Sequence, residues 1–571
     1  MPSSGSQARL ESVRSHLTSG DVAHEGPFRA ADWPSDLPVN YSPLNPVTFL
    51  LRSASVYPNK EAIWYPEKQQ SFTFAQFARR VSYLAYALKD AGISTGDRVA
   101  VLAPNTPTIA TVLQAVPAAR AIVSPINIRL AKDDVDYILE FSGAKLVVVD
   151  HQFAHLVEGT SAKVVVCKGE AGDAFETMLA RGREISLKQR GWQGLELEAD
   201  EHRSISLNWT SGTSGRPKGV LTSLRSTYLA ALSNAHETNL RPESSYLWTL
   251  PQFHCSGWKF PYACQAAMCR QICIRGVGTY DEIHDMLARN QVTHFCAAPT
   301  VCISLVNHPK ARRLERPVKA MLAGAAPTAS LIKKMEDINI LVISSYGLTE
   351  TLGPVTINYP LPEHDDLDDD LRYTLRARQG QSFLNADEAR VVKVVEGGDP
   401  DFGPFEEIAS DDKEIGEVTI RGNIVMQGYY NNKKATDKAF AGGFFHSGDL
   451  ASRGPDGVIH IKDRAKDICI SGGENISTLA VENALAGHAD VLEVAVIAKK
   501  DEKWGERPCA IVVLRDPKRW PDHAAFETEL KAYAKTKLSG YARPHVVIIV
   551  PELPKTSTGK IQKVKLRQEY A

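Results

Sequence analysis

Helical patterns that alternate with short apolar runs constrain the fold of this chain more than any other feature of its sequence. Four apolar residues recur at the spacing of one helix face: Phe77, Val81, Leu84 and Leu88. The runs 98–103, 121–126 and 145–150 are apolar enough to be buried strands, and helical segments separate them. Buried strands that alternate with helices form a parallel sheet that helices cover on both faces. The pattern therefore predicts an α/β fold.

The length of the chain predicts more than one domain. A chain of 571 residues is too long for a single core. Residues 1–46 are polar and interrupted by prolines, which indicates a loose leader. Near the other end, a helical pattern, three apolar runs and an amphipathic stretch at 523–538 are enough for a small α+β domain. We predict a leader (1–46), a large N-terminal domain of layered α/β subdomains (47–465) and a small C-terminal domain (466–571).

The segment W-T-S-G-T-S-G-R-P-K-G at 209–219 has the composition of a loop that binds polyphosphate. Its glycines let backbone N–H groups close around phosphate oxygens, its hydroxyls add donors, and Lys218 adds a positive charge. The strand-like I-S-L-N-W before it argues against a flexible linker. It is not the P-loop pattern, because Pro217 precedes the lysine and Gly219 follows it. The segment therefore disfavours kinases and P-loop ATPases.

Five motifs, in this order, resemble those of the adenylate-forming superfamily, which includes acyl-CoA synthetases, peptide-synthetase adenylation domains and firefly luciferase. After the loop come Y-G-L-T-E at 346–350, H-S-G-D at 446–449, D-R-A-K-D-I-C-I-S-G-G-E-N-I at 463–476 and P-K-T-S-T-G-K at 554–560. The resemblance covers nearly the whole chain. It implies an acyl-CoA synthetase-like fold with a mobile C-terminal domain. It also implies an acid–thiol ligase that uses ATP, Mg²⁺ and CoA to form an acyl-CoA through an acyl-adenylate.

The resemblance also implies a role for each motif residue. Tyr346 would stack under adenine, Asp449 would bind the ribose hydroxyls, and Arg464 would assist there or at a phosphate. Lys560 would be the catalytic lysine that reaches the α-phosphate and the incoming carboxylate, and Thr349 would donate to the α-phosphate. The implied ATP-binding residues are Thr210, Ser211, Gly212, Thr213, Ser214, Gly215, Lys218, Gly324, Ala325, Ala326, Ser345, Tyr346, Gly347, Thr349, Asp449, Arg464, Asn475 and Lys560. Glu350, with Thr213, would hold Mg²⁺ through hard oxygen ligands.

The stretch P-Q-F-H-C-S-G-W-K-F at 251–260 aligns with the acid-binding segment of the family. It has no Asp or Glu to pair with an ammonium group, which disfavours an amino-acid substrate, since a buried unpaired charge is costly. The resemblance implies that His254 closes over the carboxylate as a catalytic gate and that Trp258 fills the far end of the pocket. The implied wall residues are Ala323, Gly353, Pro354 and Val355. We expect an aromatic or a short- to medium-chain acid.

The second half-reaction and its acceptor rest on the resemblance alone. Gly472 and Gly473 would lie beside the pantetheine arm of CoA, Trp504 would stack on the CoA adenine, and Lys466 would be the hinge about which the C-terminal domain rotates. Two alternatives stay open: an enzyme that loads a carrier-protein thiol in trans, and a non-catalytic binding module that keeps the fold. An assay for acyl-CoA formation from free CoA distinguishes a CoA ligase from the carrier-protein loader. An assay for ATP–pyrophosphate exchange distinguishes an enzyme from the non-catalytic module.

Location and partners follow from the N-terminus and the charge. Arg9–Leu17, R-L-E-S-V-R-S-H-L, resembles the second peroxisomal targeting signal, so we expect a peroxisomal import receptor as partner. The cytosol remains an alternative, and so do mitochondria, which Glu11 and Asp21 make less favoured.

A net charge of -1 provides no basic field for nucleic acid, and no apolar run reaches the ~18 residues of a transmembrane helix. The nine cysteines, without a C-x-x-C pair, predict reduced, buried thiols. The acidic run Glu363–Asp370 predicts a solvated surface turn.

Overall fold

A computed structural model describes residues 28–29, 31, 34, 37–170, 172–210, 216–276, 280–289, 291–393, 406–464, 467–471, 474–556 and 559–571. Several sequence predictions fall outside these ranges. They concern the targeting stretch Arg9–Leu17, the phosphate-loop residues Ser211, Gly212, Thr213, Ser214 and Gly215, the hinge Lys466, and the glycines Gly472 and Gly473.

The first sheet confirms the predicted α/β pattern. In the described residues it has seven strands, in the order Gly428–Tyr429, Gly219–Ser223, Ser204–Trp209, Ile122–Pro125, Arg98–Leu102, Leu146–Asp150 and Lys163–Cys167. The four strands from Ile122–Pro125 to Lys163–Cys167 in this order pair in parallel. Val99 and Val101 pack into one hydrophobic core and Ala100 and Leu102 into another. Both faces of the sheet are therefore covered.

The second sheet carries six of the predicted site residues on two of its strands, Ile340–Leu348 and Gly353–Ile357. Within the described ranges it has nine strands, in the order Gln381–Ser382, Gly353–Ile357, Ile340–Leu348, Val318–Leu322, His294–Ala297, Ser245–Leu247, Arg270–Ile272, Glu61–Tyr65 and Gln70–Thr73. The run of strands from Ile340–Leu348 to Glu61–Tyr65 is parallel. Ligands of open parallel sheets bind beyond the carboxyl ends of the strands. The segments that begin at Ala298, Ala323 and Thr349 lie at these ends.

Two smaller sheets complete the described chain. One orders the strands Glu388–Val392, Gly416–Arg421, Phe445–Arg453 and Ile459–Arg464. The other orders Glu474–Ile476, Cys469–Ser471, Gly505–Leu514 and Val491–Asp501, with Val546–Ile549 beside Gly505–Leu514. This last sheet packs with the helices Thr478–Leu485 and His523–Lys537 around its own core, as the α+β pattern near the C-terminus predicts.

Helices cover the sheets. The α-helices are Val47–Val56, Phe74–Asp90, Pro107–Ala118, Lys132–Ser142, Ala174–Lys188, Leu224–Glu237, Phe260–Ala266, Tyr280–Ala288, Pro299–Val306, Ala329–Asp337, Asp369–Arg376, Lys433–Ala439, Thr478–Leu485, His523–Lys537 and Lys563–Tyr570. Short 3₁₀ helices are Pro66–Lys68, His151–Val157, Gly191–Gly194, Thr349–Thr351, Pro362–His364, Ala441–Gly443, Pro517–Arg519 and Gly540–Ala542. In the part of the chain that the structure describes, no helix combines the length and the apolar character needed to cross a bilayer.

The acidic run Glu363–Asp370 was predicted to be a surface turn, and this prediction is wrong at its end, which is helical. Asp368 caps the helix Asp369–Arg376 by accepting from the backbone N–H of Leu371 at 3.0 Å. Carboxylates stabilise the positive end of a helix, so three consecutive aspartates favour a helix start rather than a plain turn. The cysteine prediction is confirmed, since all nine are free and buried.

Candidate active site

A cavity of about 520 Å³ lies between the carboxyl ends of the nine-stranded sheet and the C-terminal α+β unit. The structure brings nine of the residues predicted from sequence to its wall: Gly324, Ala325, Ala326, Ser345, Tyr346, Gly347, Asp449, Arg464 and Lys560. They come from four of the five motif regions and from the segment after Val318–Leu322. Residues that are more than 200 positions apart in sequence thus share one cavity.

Tyr346, Asp449 and Arg464 form a connected polar group at this cavity. The Tyr346 hydroxyl donates to Oδ2 of Asp449 at 2.7 Å, and Nε of Arg464 lies 3.3 Å from Oδ1. Antiparallel pairing of their strands sets Asp449 opposite Arg464. Burial, followed by the adjacent carboxylate, raises the pKa of Tyr346 well above its usual value, so the phenol stays protonated. The carboxylate of Asp449 is therefore held in place by Tyr346 and Arg464 at the wall of the cavity.

The C-terminal loop that carries Lys560 contacts the helix Pro299–Val306, which follows the strand His294–Ala297 of the large sheet. Thr300 Oγ1 donates to the carbonyl oxygen of Gly559 at 2.9 Å, and the Lys560 N–H donates to Oγ1 of Thr556 at 3.1 Å. Gly559 has φ +83°, and a Cβ there would lie 2.3 Å from Oγ1 of Thr300. Only glycine allows this approach without a shift. Burial and then the charge of Lys560 lower the pKa of His254 to about 4, which leaves the imidazole neutral at pH 7.

Hydrogen bonds between Thr210 and Lys218 join the two ends of the phosphate loop at its base. The N–H of Thr210 donates to the Lys218 carbonyl at 3.0 Å, and the N–H of Lys218 donates to Oγ1 of Thr210 at 3.2 Å. Nζ of Lys218 lies 4.7 Å from the centre of the Tyr429 ring, whose hydroxyl donates to Oε1 of Glu350 at 2.8 Å. Burial raises the pKa of Glu350, while the Tyr429 hydrogen bond and the Lys218 charge act in the opposite direction. The half-buried carboxylate of Glu350 thus lies, with Tyr429, beside Lys218 at the base of the phosphate loop.

The segment after His254 is a turn of unusual backbone conformation. Its five residues all have positive φ: Cys255 48°, Ser256 50°, Gly257 59°, Trp258 53° and Lys259 64°. Sγ of Cys255 lies 3.8 Å from the carbonyl oxygen of Thr349, so the turn contacts the Y-G-L-T-E motif. We call Cys255–Lys259 the acid turn.

Trp258 packs directly against Gly353, one of the wall residues that the sequence predicted for the acyl pocket. A Cβ added to Gly353 would lie 2.9 Å from Cβ of Trp258, so the glycine permits this packing. Pro354 and Val355 continue the buried strand Gly353–Ile357, and Ala323 is buried after its own strand.

Two further predicted residues, Trp504 and Asn475, belong to the C-terminal α+β unit. Trp504 is 45% exposed, with Nζ of Lys503 at 5.1 Å from its ring, and is not among the described residues that line the cavity. Asn475 lies on the strand Glu474–Ile476.

Sequence reasoning missed three residues: Thr300, Gln379 and Tyr429. Gln379 lines the cavity and accepts from the N–H of Ile461 at 2.7 Å, and nothing in its local sequence indicates this. Tyr429 belongs to the G-Y-Y segment, whose position close to the H-S-G-D motif was the available signal.

Comparisons with known proteins give one consistent result. The family model "AMP-binding enzyme" matches residues 50–430, and the model "AMP-binding enzyme C-terminal domain" matches residues 480–560. The chain is 38% identical over 556 residues to a peroxisomal acetate/butyrate–CoA ligase of Arabidopsis thaliana, covering 93% of this chain and 95% of that protein. It is 39% identical over 560 residues to an acetate–CoA ligase of Humulus lupulus, covering 93% and 96%. A crystal structure of the anthranilate–CoA ligase AuaEII with anthranoyl-AMP shares the fold, with a TM-score of 0.79, 24% identity and coverage of 94% and 98%.

Proposed function

The chain belongs to the AMP-binding enzyme family, and on that premise we propose that it is an ATP-dependent acyl-CoA ligase. It activates a carboxylic acid as acyl-AMP, transfers the acyl group to CoA, and releases AMP and pyrophosphate. The observation that carries this proposal is the cavity whose wall includes Lys560, Tyr346 and Asp449. Relatives that are named CoA ligases, and that match over nearly their whole length, support CoA as the acceptor.

The proposed roles follow from the charges of the reactants. A carboxylate is a weak nucleophile and the α-phosphate is anionic, so positioning and charge neutralisation dominate the barrier. Lys560 neutralises charge at the α-phosphate, Thr349 donates to it, and Asp449 holds the ribose. His254, neutral at pH 7, can approach the carboxylate and donate without adding charge. Glu350, a half-buried carboxylate beside the phosphate loop, supplies the hard oxygen that the Mg²⁺ of MgATP prefers.

The experiment that tests the function is a panel of carboxylic acids incubated with the purified protein, MgATP and CoA. We expect pyrophosphate release that depends on the acid, with acyl-CoA formed in equal amount. Pyrophosphate exchange without acyl-CoA would point to a carrier-protein thiol as acceptor. No exchange with any acid, when a known acyl-CoA ligase is active in the same assay, would contradict the proposed activity.

The preferred acid is proposed to be short. Trp258 is 7% exposed and lies against Gly353, so its ring closes one end of the acyl site. The two relatives described above are named for acetate and butyrate. Both observations favour acids of a few carbons over long chains. This lies within the aromatic or short- to medium-chain range that the acid-binding segment 251–260 predicts.

Trp258→Ala is expected to shift the preference toward acids that are several carbons longer. The substitution vacates a large apolar volume, and each further buried methylene contributes ~0.8 kcal/mol, or about fourfold in kcat/KM. The measurement is kcat/KM for straight-chain acids of increasing length, with the KM for ATP as the internal control, which should not change. An unaltered chain-length profile in a folded variant would remove Trp258 from the acyl site.

The proposed location is the peroxisome. The support is the Arg9–Leu17 stretch together with a relative named as peroxisomal. Residues 1–30 fused to a fluorescent protein are expected to give punctate signal that overlaps a peroxisomal marker, and Arg9→Ala or His16→Ala to return it to the cytosol. The matched control is Arg14→Ala, which changes an arginine that the signal pattern does not specify. Diffuse or mitochondrial signal from the unaltered fusion would contradict this location and leave the ligase proposal intact.

A further inference from the structure

Lys259 is a fully buried lysine that the roles above do not use. It ends the acid turn, and its side chain has no exposed surface. Nζ donates to Oγ of Ser206 at 2.8 Å and to Oγ1 of Thr222 at 3.4 Å. Both acceptors are hydroxyls rather than carboxylates, and burial lowers the pKa of Lys259 to about 8. Burial of an amine is costly unless its hydrogen bonds are made, so these two contacts hold the lysine in a defined place.

The two hydroxyls lie on the strands that lead into and out of the phosphate loop. Ser206 lies on the strand that ends at Trp209, and Thr222 on the strand that begins at Gly219. Their hydroxyl oxygens are 2.6 Å apart, so they bridge the two strands. The amine of Lys259 therefore attaches the acid turn to the base of the phosphate loop.

A second connection runs from the same turn to the same strand. Oγ of Ser256 donates to Oδ1 of Asn208 at 2.8 Å, and Nδ2 of Asn208 donates to Oγ of Ser206 at 3.0 Å. Nδ2 of Asn234 donates to the carbonyl oxygen of Trp258 at 2.6 Å. The acid turn is thus held near both of its ends by buried polar side chains.

The backbone of the acid turn requires such support. All five of its residues have positive φ, and four of them carry a Cβ, which makes the left-handed conformation unfavourable. Such a segment keeps its shape only when the surroundings over-determine it. His254 directly precedes the turn and Trp258 lies within it, so the position of both depends on the contacts that hold it.

We propose that Lys259 is a positioning residue that fixes the acid turn against the strands of the phosphate loop and thereby sets the geometry and acid specificity of the acyl site. The inference rests on the proposed function, because it takes the region of His254 and Trp258 as the acid site. Lys259 acts on the acid through these neighbours and not by touching it. The nucleotide contacts of Tyr346 and Asp449 lie on other elements, so they should not depend on this lysine.

Lys259→Met is the first test, because methionine keeps most of the length of the side chain and removes its amine. Ser206 and Thr222 can still pair with each other in this variant. We expect the KM for the acid to rise about tenfold, the order for losing one charged hydrogen bond, and the KM for ATP to stay within about threefold. The ratio of kcat/KM between a short and a longer acid should change as well, because His254 and Trp258 move together.

Lys60→Met is the matched control. Lys60 is a partly buried lysine whose Nζ likewise donates to neutral oxygens, the carbonyls of Met268 at 2.5 Å and of Pro242, and it lies outside the acid turn. Its loss is expected to lower the melting temperature without changing the KM for the acid. The proposal is overturned if Lys60→Met changes the acid KM as much, or if Lys259→Met changes the acid and ATP KM values equally or not at all.

Ser206→Ala keeps the test decisive if Lys259→Met does not fold. It removes the closest acceptor of the amine and keeps the lysine, so the acid KM should rise in the same direction by a smaller factor. Where both variants fold, the double variant should be non-additive, since the two residues share one contact. An unchanged acid KM in Ser206→Ala would overturn the inference. A wild-type protein that is inert with every acid would instead overturn the proposed function.

Discussion

Lys560→Ala is expected to slow acyl-adenylate formation by about 10²–10³-fold, as for the loss of one preorganised charge at a transition state. The lysine lines the cavity with Tyr346 and Asp449. Negative charge builds on the α-phosphate as the carboxylate attacks, and Lys560 is the residue proposed to neutralise it. The measurement is acid-dependent ATP–pyrophosphate exchange at saturating acid and ATP.

The second half-reaction is the first control for this prediction. Thioester formation from acyl-AMP made in advance should be largely spared in Lys560→Ala, because the adenylate already carries the new bond to the α-phosphate. The family resemblance implies that the C-terminal domain then rotates and removes the lysine from the site. An equal loss in both half-reactions would show that Lys560 supports the structure of the site and not the adenylation step.

Lys555→Ala is the matched control variant. It lies five positions before Lys560 on the same C-terminal loop, and its Nζ forms an ion pair with Glu493 at 2.7 Å, in which the lysine side chain is 30% exposed and the glutamate side chain 9%. Lys555→Ala removes a positive charge from the same loop and keeps Lys560, so the exchange rate should stay nearly unchanged. If both lysine variants lose exchange to the same degree, a general effect on the loop replaces the catalytic assignment.

The strands and helices followed closely from sequence wherever one physical pattern governed them. Apolar runs bounded by polar residues placed the strands Arg98–Leu102, Ile122–Pro125 and Leu146–Asp150 to within about two residues. The helix Phe74–Asp90 likewise contains the four apolar residues that predicted it. Burial of apolar side chains fixes these elements, and it leaves a direct trace in the sequence.

The motif residues were predictable for another reason, which is resemblance and not periodicity. No local pattern reveals that Asp449 lies opposite Arg464, or that Gly559 contacts Thr300, since these pairs arise only when distant strands and loops meet. The motifs suggest the site residues by resemblance, and the structure supplies the geometry of those that it describes.

The shape of the acid turn and the burial of Lys259 were not predictable from the sequence, for physical reasons. The acid turn holds one glycine in five residues, so composition gave no sign of five consecutive positive φ values. Lys259 looked like any lysine beside an apolar run, and its burial depends on hydroxyls more than 30 positions away. Tertiary contacts decide such positions, and they override the usual preference of lysine for solvent.

Glu350→Gln is expected to reduce the rate of adenylation by about 10²-fold at a Mg²⁺ concentration that saturates the wild-type protein. Glutamine keeps the shape of the side chain and one oxygen but removes the charge that attracts a divalent cation. The carboxylate is held at 2.8 Å by the Tyr429 hydroxyl, beside the lysine at the root of the phosphate loop. The measurement is the rate of pyrophosphate exchange as a function of free Mg²⁺.

Tyr429→Phe separates the charge of Glu350 from its hydrogen bond. This variant removes the phenolic hydroxyl and keeps the carboxylate, so the exchange rate should fall only a few-fold, as for one neutral hydrogen bond worth about 1 kcal/mol. Half-saturation should need more Mg²⁺ in Glu350→Gln and nearly the wild-type amount in Tyr429→Phe. If Glu350→Gln keeps the wild-type rate and Mg²⁺ requirement, the cation of MgATP is held without Glu350. If both variants lose activity equally with no change in Mg²⁺ requirement, the Glu350–Tyr429 pair supports the phosphate loop mechanically, and the charge is not what matters.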